Sequence, residues 1–372
     1  MDDNSRGMDA PGDGFVLRRD SAIDLPGGYG IIAEKRRSRM SCRTIIKYRS
    51  VWMGAAMLWI LFFHIPMELP TAGLRLFRQL GYGGVDLCLF ASGVGCFYSL
   101  SKDSDAGRFL GRRLWRLGPV YLIFMLFWLP WQYTKGVVTL SNLLGNLFGI
   151  QYLTALHNEF NWYVSAILVL YVLAPYLKGV IDSAGWKGRV LFLGLLLVLT
   201  VPFWMSGTYI IIVTRIPIFY LGMLFAAASA EGRSIRPWQL LVAVALAAVG
   251  VAALNWGFEH IMNKMWAYGL HWYPHILIAP PVCVLLSLLM EALERLRGGG
   301  RIVGILSKIG GYSFEIYLLH FPMVDILSEL IRERGLQEHR TLIWTAGLLV
   351  LSCGCVVLQR AANTVTGWVR KK

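Results

Sequence analysis

From Val51 to near its carboxyl end the chain is a succession of apolar runs, each roughly 18 to 22 residues long and parted from the next by short charged stretches. A helix of that length, rising about 1.5 Å per residue, covers the ~30 Å hydrocarbon core of a bilayer. Ten runs are present, over 51–68, 82–100, 114–131, 160–178, 189–206, 209–228, 238–256, 272–291, 303–326 and 340–359. They predict an all-α, polytopic membrane protein of about ten transmembrane helices. The composition agrees, because 56% of residues are hydrophobic and only 16% charged, whereas a soluble domain carries roughly a quarter charged. A soluble enzyme, a disordered chain and a secreted disulfide scaffold are excluded. One further stretch, 138–156, is apolar but interspersed with Asn, Ser and Gly. It reads as interfacial or re-entrant; a crossing there would reverse the side of every later loop.

Loop charges give the orientation, since cytoplasmic loops collect Lys and Arg. With ten spans and the amino terminus inside, 24 basic residues fall on the cytosolic side and seven on the other. Both termini are therefore expected in the cytosol. Topology also accounts for the net charge of +14, which in a soluble chain would raise the question of nucleic acid, and no nucleic-acid partner is expected. Residues 1–46, which hold no signal-peptide h-region, read as a disordered cytosolic tail, 47–360 as the transmembrane domain and 361–372 as a basic cytosolic tail. The six cysteines lie almost all within apolar runs, where they act as small hydrophobes, so neither a disulfide framework nor a metal site is expected.

An ionisable group inside hydrocarbon costs at least a few kcal/mol, which makes each one a candidate for function. His64 lies toward the far end of the first run; its ring either satisfies a neighbouring helix or the interface, or serves as a general base, neutral imidazole being able to take a proton from a hydroxyl. Asp86, in GYGGVDLCLFASG, is either a helix N-terminal carboxylate or the partner of an arginine or histidine. Arg112, Arg113 and Arg116 anchor the third run on the basic side. Arg113 and Arg116, at i and i+3, share a face suited to phosphate. Arg215 is the one charge between Arg189 and Glu231 and sits inside a run. Glu315 and His320 project from different faces of the ninth run and are not expected to pair. His271 and His275 have i,i+4 spacing without an H-E-x-x-H pattern, and read as interfacial histidines of an aromatic belt.

Together these positions resemble the acyltransferase 3 family of integral membrane O-acyltransferases, from about Arg49 to His320. The first run, Arg49 through His64, is similar to the family's opening helix with its arginine and catalytic histidine, and GGVDLCLFASG to its second-helix motif. Arg113-x-x-Arg116 with Pro119 looks like its R-x-x-R element. NWYVSAILVLYVLAP, which begins the central helix with Trp162, RIPIFYLGML and GYSFEIYLLHFPMV follow in the family's order. Two features depart from the pattern. The central helix lacks the glutamate that many members acting on bacterial surface polysaccharides carry after Trp162, and no esterase-like domain follows the last run.

The resemblance implies a multi-pass protein of the bacterial cytoplasmic membrane that takes acyl-CoA, acetyl-CoA foremost, from the cytosol as donor substrate, with no bound cofactor. The acyl group would pass to a hydroxyl of a surface or secreted glycan, such as an exopolysaccharide, or of a lipid-linked sugar. His64 and Asp86 would be catalytic, Asp86 orienting His64. Arg49, Arg112, Arg113 and Arg116 would meet the phosphates of CoA, and Arg215, Trp162, Glu315 and His320 the substrate. Besides acyl-CoA, the acceptor and the bilayer, the partners left open are a second copy of the chain and a polysaccharide-synthesis complex. The alternative from another class is a transporter of a small anionic or glycan substrate, since ten spans with buried Arg, Asp and His suit a translocation path.

Overall fold

The computed structural model describes residues 40–371, apart from 135, 137–138, 156–160 and 208. Within them the chain is almost wholly helical. The main helices are α1 (Arg49–His64), α2 (Gly84–Lys102), α3 (Ala106–Thr134), α4 (Trp162–Ser183), α5 (Trp186–Val198), α6 (Ile216–Ala230), α7 (Pro237–His260), α8 (Tyr273–Glu294), α9 (Gly299–Gly311), α10 (Ser313–Glu333) and α11 (Arg340–Lys371). Every expected run is thus helical, but not every run is one full-length span. Among the described residues eight helical stretches are long and apolar enough to cross a membrane, or nine if the pair α9–α10, bent by 71°, is one broken span. The first run gives a short helix that is not one of these: α1 has 16 residues, about 24 Å of rise. It stops where Ile65 turns extended before Pro66, because a proline disfavours helical backbone in the residue ahead of it. Large exposed apolar side chains, among them Phe127, Leu191, Leu241 and Val350, cover the outside of the bundle with the surface that a bilayer shields.

Three other segments differ from expectation. The amino-terminal tail does not extend to residue 46: Met40–Ser41 pairs antiparallel with Ser234–Ile235, and Cys42–Ile46 is a helix with Cys42 and Ile45 buried. Residues 1–39 lie outside the described residues. The basic tail at 361–372 continues helix α11 as far as Lys371. Between α3 and α4, the 138–156 stretch forms two short helices, Leu140–Leu147 and Gln151–Ala155. Neither is long enough to cross a membrane, and their amides bond to one another and to Asn161. Asn161 Nδ2 donates to Asn146 Oδ1 at 2.6 Å and Gln151 Nε2 to Asn142 Oδ1 at 2.9 Å; Ser165 Oγ donates to the Gly149 carbonyl at 2.7 Å.

Glycines set how the core helices meet, as in membrane bundles generally, where close backbone approach replaces the hydrophobic drive available in water. A Cβ at Gly222 of α6 would strike the carbonyl of Phe90, and one at Gly93 of α2 the carbonyl of Phe219, so α2 and α6 touch through a reciprocal glycine pair. Gly54 and Gly310 do the same for α1 and α9. Trp52, wholly buried, donates from its indole to Ser287 Oγ at 2.8 Å, and Ser287 donates to the carbonyls of Ile45 and Cys283. The helices carrying the ionisable groups are thereby locked in register. Gly222→Ala is expected to cost about 1–3 kcal/mol by overpacking. Gly304→Ala, where an added Cβ meets nothing within 4 Å, is expected to be neutral or slightly stabilising. Thermal unfolding of the two variants in detergent checks this.

Candidate active site

Helices α1, α2, α3, α4, α10 and α11 enclose a cavity of about 240 Å³. One end is basic. Arg49 opens α1, and Met53, Met57 and Ile60 follow it along the cavity wall, since residues three and four apart share a helix face. Arg113 and Arg116 of α3 complete that end. Arg49 Nη1 donates to the Ala91 carbonyl at 3.2 Å and Arg113 Nη2 to the Gly95 carbonyl at 3.1 Å, so both guanidiniums are tied to one face of α2. Arg113 also lies over the rings of Phe109 and Tyr171, at 5.2 and 5.5 Å. Glu315 is the acidic member of the wall and accepts from Gln359 Nε2 at 3.3 Å. It belongs to the basic end and not to the neighbourhood of His320, as its helix face requires.

Arg112, expected beside Arg113, is not on this wall. It is exposed and bonded to Asp103 Oδ2 at 2.7 Å. Arg108 holds the same carboxylate, and the two guanidiniums, Arg108 foremost, keep the Asp103 carboxyl well below the usual carboxylate range. A 100° turn separates Arg112 from Arg113 on the helix, so two adjacent arginines serve a surface cluster and a cavity respectively.

The other end of the cavity closes on Ile60, Val85, Tyr163 and Tyr317, the two tyrosine rings lying 4.7 Å apart. One helical turn beyond that layer stand two histidines. His64 follows Ile60 on α1 and His320 follows Tyr317 on α10, and their ring centroids are 4.9 Å apart in an edge-to-face arrangement. His64 is half-buried, His320 is 3% exposed. Among the described residues no carboxylate bonds to His64, and Asp86, expected to orient it, pairs with Arg215 instead.

Asp86 belongs to a separate, closed cage. Its Oδ1 lies 3.5 Å from Arg215 Nε, with side chains 1% and 0% exposed. Arg215 caps α6 at the break after the short helix Ile210–Val213, where Pro217 withholds a backbone donor and starts a new helix. Its guanidinium carbon stacks 3.2 Å from the ring centre of Trp272 and lies 5.5 Å from that of Trp162. Arg215, expected to meet substrate, is not among the residues lining the cavity; it is enclosed with a carboxylate and two indoles.

His271 and His275 complete this cage instead of lying at an interface. They are 3% and 0% exposed, and both rings pack edge-on to Tyr82, at 5.2 and 4.8 Å. The Tyr82 hydroxyl donates to the His271 carbonyl at 2.9 Å, and a Cβ at Gly83 would collide with the His275 imidazole. Sequence reasoning missed Tyr82, His271, Trp272 and His275 as cage residues; the one available signal was the density of nitrogen-bearing rings in LHWYPH, which an aromatic belt explains equally well. Phe63 lies between the cage and the histidine pair, with its ring 4.9 Å from His64 and 5.8 Å from Tyr82.

The arrangement can bind an anionic group at the basic end of the cavity and places an imidazole one helical turn beyond the other end. Residues 54–360 match the family model of an acyltransferase domain. No curated protein and no solved structure matches the chain.

Proposed function

Because this chain belongs to the acyltransferase 3 family and is a multi-pass membrane acyltransferase, we propose that it moves an acyl group, acetyl foremost, from acyl-CoA to a hydroxyl of a surface or secreted glycan or lipid-linked sugar. The carrying observation is the cavity with Arg49, Arg113 and Arg116 at one end and, one turn past the other, His64. CoA is rich in phosphate, for which arginine is the apt partner, and the apolar wall of Met53, Met57 and Ile60 suits the uncharged arm leading to the thioester. In this reading the basic end faces the cytosol of a bacterial cell, with both termini on that side.

The chemistry assigned to His64 is general base catalysis. Its bare ring nitrogen takes the proton of the acceptor hydroxyl as the oxygen attacks the thioester carbonyl. The tetrahedral adduct then expels the CoA sulfur, which leaves with the proton from the imidazolium. A C–O bond is made, a C–S bond is broken, and His64 returns to its neutral form.

The test is release of free thiol from acetyl-CoA by purified protein in detergent with a cell-envelope glycan extract, together with the mass gained by the acceptor. Thiol release that depends on the extract supports the reading. No release with acetyl-, succinyl- or longer acyl-CoA overturns it. The cavity also separates the arginines. Arg113→Ala is expected to raise the KM for acyl-CoA about tenfold or more, the value of a hydrogen bond to a charged group, at little cost in kcat. Arg112→Ala, off the wall, is expected to leave that KM near wild type.

A further inference from the structure

The two histidines beyond the cavity are alike in one respect. In each ring Nδ1 is bonded back to the carbonyl of its own helix: His64 to Ile60 at 3.0 Å, and His320 to Tyr317 at 2.6 Å and Ile316 at 3.1 Å. A carbonyl oxygen only accepts, so in the neutral ring Nδ1 must carry the hydrogen and Nε2 the free lone pair. Both imidazoles are thereby held in the tautomer that leaves Nε2 basic. His320 Nε2 is fully enclosed and has no hydrogen-bond partner among the described residues, yet its ring stands 4.9 Å from that of His64. A buried nitrogen kept bare beside a candidate base is more than packing requires, because an apolar ring would fill the same space without an unmet acceptor.

Three carboxylates that could support a catalytic histidine are engaged elsewhere. Asp86 is paired with Arg215, Glu315 takes a hydrogen bond from Gln359, and Glu68, four residues beyond His64, is bridged to Arg340 at 3.0 Å. Around His64 the rings are those of Phe63, Phe321 and His320, and of these His320 alone has a lone pair. With its N–H turned back onto α10, it offers His64 a neutral, electron-rich ring.

We propose that His320 is a positioning residue for His64: it holds the His64 ring by edge-to-face contact and stabilises the imidazolium that His64 becomes on taking the acceptor proton, which with the Ile60 carbonyl on Nδ1 divides the part that a carboxylate plays in the usual triad. A neutral partner does this without placing a second charge in the low-dielectric interior, where an unpaired carboxylate would be costly. His320 touches neither donor nor acceptor; it acts through His64. The inference rests on the reading of His64 as base.

The experiment compares His320→Phe, His320→Gln and His64→Ala with wild type, measuring kcat and the KM for acyl-CoA and acceptor, and adds the double variant His64→Ala/His320→Phe. Phenylalanine keeps the ring and loses the nitrogen; glutamine keeps a carbonyl acceptor at similar reach. His320→Phe is expected to lower kcat about 10- to 100-fold with both KM values near wild type, His320→Gln to recover part of that loss, and the double variant to be no slower than His64→Ala alone, since residues acting as a unit are not additive. A His320→Phe enzyme as fast as wild type overturns the inference, as does a double variant slowed by the full product of the two single effects. Should His320→Phe fail to fold, His320→Gln decides: wild-type kinetics refute the role, and a fall in kcat alone supports it. If His64→Ala itself retains full transfer, the reading of His64 as base fails, an outcome distinct from failure of His320 alone.

Discussion

Asp86→Ala is expected to destabilise the protein by about 3–5 kcal/mol, the usual consequence of leaving one member of a buried ion pair without its counter-charge. The orphaned group would be Arg215, whose side chain is 0% exposed and whose Nε and Nη2 already lack hydrogen-bond partners among the described residues. Arg215→Met is expected to cost a similar amount, because it strands Asp86 and removes the cation stacked on Trp272. The double variant Asp86→Leu/Arg215→Met is expected to be far more stable than either single one, since exchanging a whole buried pair for apolar side chains of similar volume is often near neutral. Unfolding in detergent, followed by the fluorescence of the 14 tryptophans, measures all three. The double variant also decides what the cage is for. Acyl transfer retained in a stable double variant makes the cage structural, a brace that sets Tyr82 and Phe63 behind His64. Transfer lost with stability intact would return Arg215 to the role of a substrate ligand.

What the sequence reveals about such a chain follows from what is local. Apolar run length is local, so the long apolar helices are legible, though not the short helix Cys42–Ile46 or the break between α9 and α10, and so is the oddity of Asp86, Arg215, His64 and His320, because the cost of an ionisable group in hydrocarbon depends on its own segment. Pairing is not local. The segment of Asp86 leaves an arginine and a histidine open as its partner and the resemblance favours His64, yet the fold brings it to Arg215 through the α2–α6 contact, which depends on Gly93 and Gly222. His320 was separated from Glu315 correctly by helix phase, but no phase argument reaches from α10 to α1, where its partner lies. Arg112 was legible in principle, since it stands off the Arg113–Arg116 face; adjacency in sequence hid what the 3.6-residue period states. His271 and His275 were misplaced because the start of an apolar run looks interfacial until something covers it, and here the cover is Tyr82 and Gly83, far away in the chain. A count of apolar residues registers neither the end of the 16-residue α1 ahead of Pro66 nor the 71° bend between α9 and α10.

His64→Ala is expected to lower acyl transfer by about 10²- to 10⁴-fold, the range ascribed to a positioned general base, and to do so in kcat alone. The geometry separates the two kinetic constants. His64 is fifteen residues beyond Arg49 on α1, about 22 Å along the axis, and is not on the wall of the cavity that holds the arginines. Donor binding therefore does not depend on it, and the KM for acyl-CoA should stay near that of wild type. Folding should survive as well. His64 ends its helix and is half-buried, and among the described residues its ring bonds to a carbonyl of its own helix, so its loss leaves no buried charge unpaired. A variant that inserts, melts like wild type, binds acyl-CoA and no longer releases thiol in the presence of acceptor is the expected outcome. Thiol release at the wild-type rate would remove the base from the mechanism. A variant that loses donor affinity together with rate would instead place the histidine pair inside the donor site, and the cavity would have to be read in the opposite direction.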